Sequence, residues 1–188
     1  MPSLSSIRTG YGGNIGGVKY FRLAPKDWIQ HDFIVDKVFG QVTVQVNLIP
    51  GRFWLSGLCI EDSMGFSEES KPVAGGSLVK AELSGVVLKD SMNTNINITE
   101  LRYFEFVIVI VDRNKVARIV GNKLQGLKLS TAYDSGKKHG DATLYSVSFN
   151  QEYQDHAPIY GPSSGGSVVL GNNGGLSTTT GFGVPIIL

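Results

Sequence analysis

Along most of this chain, hydrophobic and polar positions alternate in twos. In Gln41-Val42-Thr43-Val44-Gln45-Val46-Asn47-Leu48 the four apolar residues fall on one face and Thr43, Gln45 and Asn47 on the other, the period of a strand half buried in a sheet. Pro50-Gly51 ends the run, and residues 52–60 predict a returning strand that closes a hairpin with it. The most apolar stretch, Phe104-Glu105-Phe106-Val107-Ile108-Val109-Ile110-Val111, is β-branched or aromatic nearly throughout. It predicts a central strand covered on both faces. Asp112-Arg113-Asn114-Lys115 reads as a turn, 116–120 as the strand that pairs back, and Gly121-Asn122 as its stop. Segments 126–133 and 142–150 predict a further hairpin around a polar loop, with Thr143, Tyr145, Val147 and Phe149 on its apolar face. Residues 78–88 add one or two strands, with Gly85 as an interruption.

Helical periodicity is confined to two short places. Proline opens residues 25–30 where a first turn accepts it, and Thr99 offers a cap within residues 97–102. Six to eight short strands with so little helix predict an all-β fold, a single β-sandwich or small barrel with one or two short helices and extended N- and C-terminal arms.

Composition changes this picture at the two ends. Residues 1–17 hold five glycines and one charge, Arg8, too little apolar surface to offset the ordering of so free a backbone. They read as an N-terminal arm, 18–160 as the β-sandwich domain, and 161–188 as a second, Gly-rich arm. After Asp155 no Asp, Glu, Lys or Arg occurs, and the chain runs to Gly181-Phe182-Gly183-Val184-Pro185-Ile186-Ile187-Leu188. Solvated tails are ordinarily polar and charged, whereas this segment is neutral with an apolar tip, so it is expected to land on a partner surface.

Seventeen Lys+Arg against sixteen Asp+Glu give a net charge of +1, which supplies no field for sequence-specific nucleic-acid binding or for an anionic membrane. A lone Cys59 closes no intramolecular disulfide and completes no Cys-based zinc site. Neither a secretion signal nor an apolar run of membrane-spanning length is present, so a soluble, unprocessed protein is expected.

Candidate chemistry is sparse. His31-Asp32 are adjacent, which points their side chains apart; His139 and His156 are isolated; no Gly-x-Ser-x-Gly elbow supports a nucleophile. Glu61-Asp62 and Glu68-Glu69 read as a solvated acidic loop rather than metal ligands. Gly161-Pro162-Ser163-Ser164-Gly165-Gly166-Ser167 has the glycines of a phosphate loop but lacks its lysine, and Gly10 to Gly17 fails the dinucleotide spacing. Asn97-Ile98-Thr99 is a formal glycosylation sequon without a secretion signal. No catalytic residue, cofactor site or metal site follows, and a non-enzymatic protein is expected. The aromatic residues Tyr11, Tyr20, Phe21 and Trp28, together with Phe182, Val184, Ile186, Ile187 and Leu188, are the candidate assembly interface. The same N-terminal aromatics also suit core packing or a carbohydrate-stacking platform.

A sandwich of this size with arms resembles the tail-tube and related ring proteins of tailed bacteriophages. Leu101 to Asn114 followed by Ile119-Val120-Gly121-Asn122, and the 140–160 region with Tyr145-Ser146-Val147-Ser148-Phe149, resemble tail-structural proteins of phages and prophages of Bacteroidetes. The resemblance covers about a third of the chain and implies a hexameric ring, built from copies of itself beside other virion proteins. Such rings stack into a tube that serves as a passive DNA conduit, in the tail or neck of a virion made in the host cytoplasm. Its function would reside in interfaces, with no catalytic residues to carry over. Two alternatives accompany it: a capsid decoration or head-to-tail connector ring protein, and a monomeric carbohydrate-binding or adhesin-like module.

Overall fold

The computed structural model describes residues 16–33, 35, 41–42, 46–57, 63–74, 76–88, 98–136 and 143–161. Ten strands occur among them: β1 (Val18–Pro25), β2 (Gln41–Val42), β3 (Leu55–Gly57), β4 (Gly65–Val73), β5 (Gly76–Leu88), β6 (Glu105–Asp112), β7 (Ala117–Val120), β8 (Leu127–Asp134), β9 (Leu144–Tyr153) and β10 (Ile159–Tyr160). A 3-10 turn covers Lys26–Trp28 and a single helical turn covers 98–101, at the two places where helix was expected.

The strands follow one hydrogen-bonded path, β2-β10-β7-β6-β8-β9-β5-β4, while β1 pairs with β6 and carries β3. Every pairing is antiparallel except that of β10 with β2. β1 occupies one edge of β6 from residue 106 to 112. The other edge is shared, with Ile108 to Val111 facing β7 and Glu105 and Phe106 facing β8. Residues 121–126 are therefore the corner where the chain steps from the β3-β1-β6-β7-β10-β2 layer into the β8-β9-β5-β4 layer.

That corner needs glycine. Gly121 has φ +88°, and a Cβ there would lie 3.0 Å from the Phe106 carbonyl oxygen. A Cβ on Gly126 would lie 2.8 Å from the Phe106 nitrogen. Side chains at either position would wedge β6 away from the bend. Farther round, the Val18 N–H donates to the Met64 carbonyl at 3.2 Å, which brings the start of β4 back to β1 and partly closes the sandwich.

The main core lies between the layers. Phe21 and Leu23 of β1 and Phe106, Ile108 and Ile110 of β6 meet Leu83, Leu127, Leu129, Val147 and Phe149. Phe106 sets its ring edge-on to Phe149 at 5.7 Å, and Phe21 lies tilted at 6.2 Å from the same ring. The alternate residues of β6, Val107, Val109 and Val111, point the other way into a second cluster. That cluster is roofed by Ile29, Val42, Val46, Leu48, Trp54 and Tyr160. β6 is thus central and covered on both faces, as its composition requires.

Both expected hairpins after it form, β6 with β7 and β8 with β9. Lys115 takes φ 67° in the first turn, where the Asp112 carboxylate accepts from the Val116 N–H at 2.8 Å. Tyr145, Val147 and Phe149 are buried as their alternation predicts.

Other expectations are corrected. Segments 41–48 and 52–60 do not form a hairpin with each other among the described residues: β2 runs parallel to β10, Leu48 bridges Ile29, and β3 pairs with β1. Their apolar face is real, since Val42, Val46 and Leu48 are all buried, but a face does not specify a partner. Gly85 does not interrupt β5, because it stands in register opposite Val147 inside a continuous ladder. Glu68-Glu69 lies not in a loop but in β4, paired residue by residue with β5. Tyr11, Val44, Cys59, Glu61-Asp62, Asn97, His139 and both arms beyond Gly16 and Gly161 lie outside the described residues.

Candidate functional site

Pro25 stands opposite Phe106 and Val18 opposite Asp112, so the sandwich has two distinguishable ends. At one, the Glu105 end, β1 finishes and β6 begins. At the other, the Asp112 end, β1 begins and β6 finishes.

The Glu105 end gathers apolar side chains on three connecting segments. The helical turn 98–101 is closed by Arg102, Tyr103 and Phe104 amides donating to the Ile98, Glu100 and Leu101 carbonyls, which leaves Tyr103 84% and Phe104 41% exposed. The corner presents Leu124, 82% exposed. Its backbone is fixed, because the Asn122 side-chain oxygen accepts from the Leu124 and Gln125 amides at 2.9 and 2.7 Å. The turn around Pro50-Gly51 presents Ile49 and Phe53, 42% and 52% exposed, and is tied to the first layer by the Ile49 N–H donating to the Trp28 carbonyl. These five are nearly half of the eleven large apolar residues exposed among those described.

Ion pairs pin the segments together. Lys26 Nζ lies 2.7 Å from Glu105 Oε2 and also donates to the Leu124 carbonyl at 3.4 Å. Lys128 approaches the other Glu105 oxygen at 3.8 Å, and the Gly126 N–H donates to Oε2. The bond from Lys26 holds the Glu105 carboxyl below the usual carboxylate range; burial opposes it, and the Gly126 amide and the two lysine charges add to the lowering. Lys123 donates to the Gln30 carbonyl, and the Arg52 guanidinium lies 4.8 Å from the centre of the Trp28 ring.

The residues expected at an interface are dispersed. Phe21 is 2% exposed and belongs to the core, because its position in β1 points between the layers. Tyr20 is exposed opposite Val111, near the Asp112 end, whereas Trp28 is half-buried at the Glu105 end. The described N-terminal aromatics therefore do not assemble into one stacking platform. Tyr103, Leu124, Ile49 and Phe53 were not singled out by the sequence. A lone leucine beside the Asn122 stop signal, and apolar residues flanking Pro50-Gly51, were the available clues.

Grooves also cross the sandwich. One of about 920 Å³ runs past Phe33, Arg118, Asn122, Tyr153, His156 and Ile159. Near it the Tyr153 hydroxyl is buried with no hydrogen-bond partner among the described residues. Burial, with a smaller contribution from the Glu105 charge, pushes that phenol well above its ordinary value. The second groove, about 410 Å³, crosses the outer face of β5, β9 and β8, where Ser84, Ser148 and Ser130 stand in one row.

His31 and His156 are both exposed. His156 Nδ1 lies 3.3 Å from Glu68 Oε2, while Glu68 Oε1 accepts from the Ala157 N–H at 2.6 Å. Glu68 thereby straps the β9–β10 connection to β4. No group of three or more His, Cys, Asp or Glu suited to a metal ion occurs among the described residues, and none of their helices is long and apolar enough to cross a membrane.

β4 is the last strand of the path. Its inner edge pairs with β5 over nine residues, from Gly65 opposite Ser84 to Val73 opposite Gly76, and its outer edge pairs with no strand among the described residues. Such an edge is a template for another chain, moderated here by Glu69, Lys71, Pro72 and the inward-turned Glu68.

Compared with family models, with curated proteins and with solved structures, the chain matches none.

Proposed function

We propose that this protein is a virion structural protein of a tailed phage, a tail-tube subunit that assembles with copies of itself into stacked rings. The nine-residue open edge of β4 carries the reading. Its outer N–H and C=O groups, which pair with no strand among the described residues, supply lateral pairing to a neighbour's edge, and a head-to-tail contact of that kind closes into a ring when the rotation per subunit allows. Glu69, Lys71 and Pro72 limit that pairing to a partner of matching charge and register. The exposed apolar end and the neutral 182–188 segment supply what a stacked assembly requires in addition to lateral contacts. The protein acts through its surfaces rather than by catalysis.

The test is the mass distribution of the full-length protein by sedimentation over a concentration series, with negative-stain images of the same samples. Rings or tubes are expected, and their symmetry separates a tube from a neck ring or a capsid decoration protein. A monomer at every concentration overturns the proposal, and saturable glycan binding by that monomer would establish the binding-module alternative.

A further inference from the structure

We infer that the apolar Glu105 end is the acceptor for segment 182–188 of a second copy, so that copies join head to tail along the strand axis; this rests on the assembly reading above. The direction in which the chain leaves the sandwich carries the inference. β10 runs antiparallel to β7 with Ile159 opposite Arg118, and Ala117 stands opposite Val111 near the finish of β6. Past Tyr160 the chain is therefore heading toward the Asp112 end, and the Gly161 N–H is still held by the Val42 carbonyl at 3.2 Å. The acceptor lies at the opposite end. A donor segment leaving one end and an acceptor at the other make a heterologous contact, which repeats into a stack.

The chemistry of the two sides agrees. Segment 182–188 offers Phe182, Val184, Ile186, Ile187 and Leu188, and residues 156–188 contain no Asp, Glu, Lys or Arg. At the acceptor, Lys26 is already paired with Glu105 and Lys123 with the Gln30 carbonyl, so covering Tyr103, Leu124 and Phe53 leaves neither lysine without its partner. Length is sufficient: the 27 residues 162–188 span up to ~90 Å when extended, against about 26 Å for the eight residues of β6. That span would also permit a return to the same copy, so the test must separate the two arrangements.

Two full-length variants do so. Leu124→Asp with Phe53→Asp disables the acceptor and keeps the donor, while Ile186→Asp with Ile187→Asp disables the donor and keeps the acceptor. Leu124 and Phe53 are solvent-exposed, so the first variant keeps the wild-type melting temperature. Each variant alone requires at least roughly tenfold more protein than wild type to assemble. Mixed in equal amounts and sedimented together, both carrying Ser70→Lys to silence lateral pairing through β4, they form a dimer through the one intact donor–acceptor pair. If neither variant alters wild-type assembly, the docking is overturned and the assembly reading stands. If each variant alone fails to assemble but the mixture yields no dimer, the segment does not join two copies. A wild type that is monomeric throughout overturns both.

Discussion

β6 and β4 are strands of nearly equal length with opposite surroundings. β6, Glu-Phe-Val-Ile-Val-Ile-Val-Asp, is buried from Phe106 to Val111 and has strands on both edges. β4, Gly-Phe-Ser-Glu-Glu-Ser-Lys-Pro-Val, contains no fully buried residue and, among the described residues, has a strand on one edge. The first is held by side chains packed on two faces, the second by its backbone ladder to β5, by Phe66 against the edge of the main core and by the bonds of Glu68. Stability and availability for partners are thus carried by different strands, and the same substitution should have very different consequences in the two places.

Phe106→Ala gives the largest expected effect. It removes a fully buried ring that packs against Phe149 and Phe104, and unfolding in urea should show a loss of about 3 to 5 kcal/mol. A loss below ~1 kcal/mol would mean that β6 is not the centre of the core. Gly126→Ala comes next. The new Cβ would lie 2.8 Å from the Phe106 nitrogen and 3.0 Å from the Glu105 carbonyl carbon, both backbone atoms that cannot swing aside. A destabilisation of about 1 to 3 kcal/mol is expected in the same assay, and wild-type stability would show that the corner is looser than described.

The contrast between the two strands also marks what the sequence made legible. β6 announces itself because burial on both faces demands an unbroken apolar run, and its return strand because Asp112 to Lys115 can only turn. β8 and β9 are legible for the related reason that one wet face preserves alternation. β4 is silent, since Phe66 is its one large apolar residue before Val73 and hydrogen bonds to β5 leave no trace in composition. The misplaced hairpin of 41–48 with 52–60 has a different cause. Alternation identifies which side of a strand is buried, whereas the partner of β3 is β1, more than thirty residues earlier in the chain. The Glu105 end escaped because apolar residues in turns look like core residues in one dimension; only the juxtaposition of three separate turns shows them as a surface.

Glu68 tests how an almost unburied strand is kept in place. Its carboxylate accepts from the Ala157 N–H at 2.6 Å, and Glu68→Ala would leave that amide without its acceptor, costing about 1 to 3 kcal/mol. The loss should be local, with faster amide exchange at Ala157 and along β4 and little change in β6. Uniformly faster exchange would tie β4 to the core more tightly than its exposure implies.

Glu105 gives a smaller effect with a defined pH dependence. Its folded pKa is depressed, chiefly by Lys26, so its contribution is fully present above the unfolded glutamate value of about 4.3 and is lost as pH falls through the lower folded value. Because the pair is partly exposed, Glu105→Gln should cost no more than about 1 kcal/mol at neutral pH. The variant's stability should fall less steeply than wild type in acid unfolding below that value. An unchanged slope would show that the Lys26–Glu105 bond does not persist in solution.

The smallest expected effect on the isolated subunit is the sharpest test of β4's open edge. Ser70 is exposed in β4 and contributes no burial to either cluster, so Ser70→Lys should leave unfolding free energy within ~0.5 kcal/mol of wild type. Beside Lys71 it adds a second positive charge to the edge, the device by which natural sheets discourage pairing with another chain. If lateral contacts between copies use this edge, the variant's assembly shifts to higher concentration although its stability does not move. Unchanged assembly would exclude β4 from the lateral contact and leave β3, at the far edge of the first layer, as the strand to alter next.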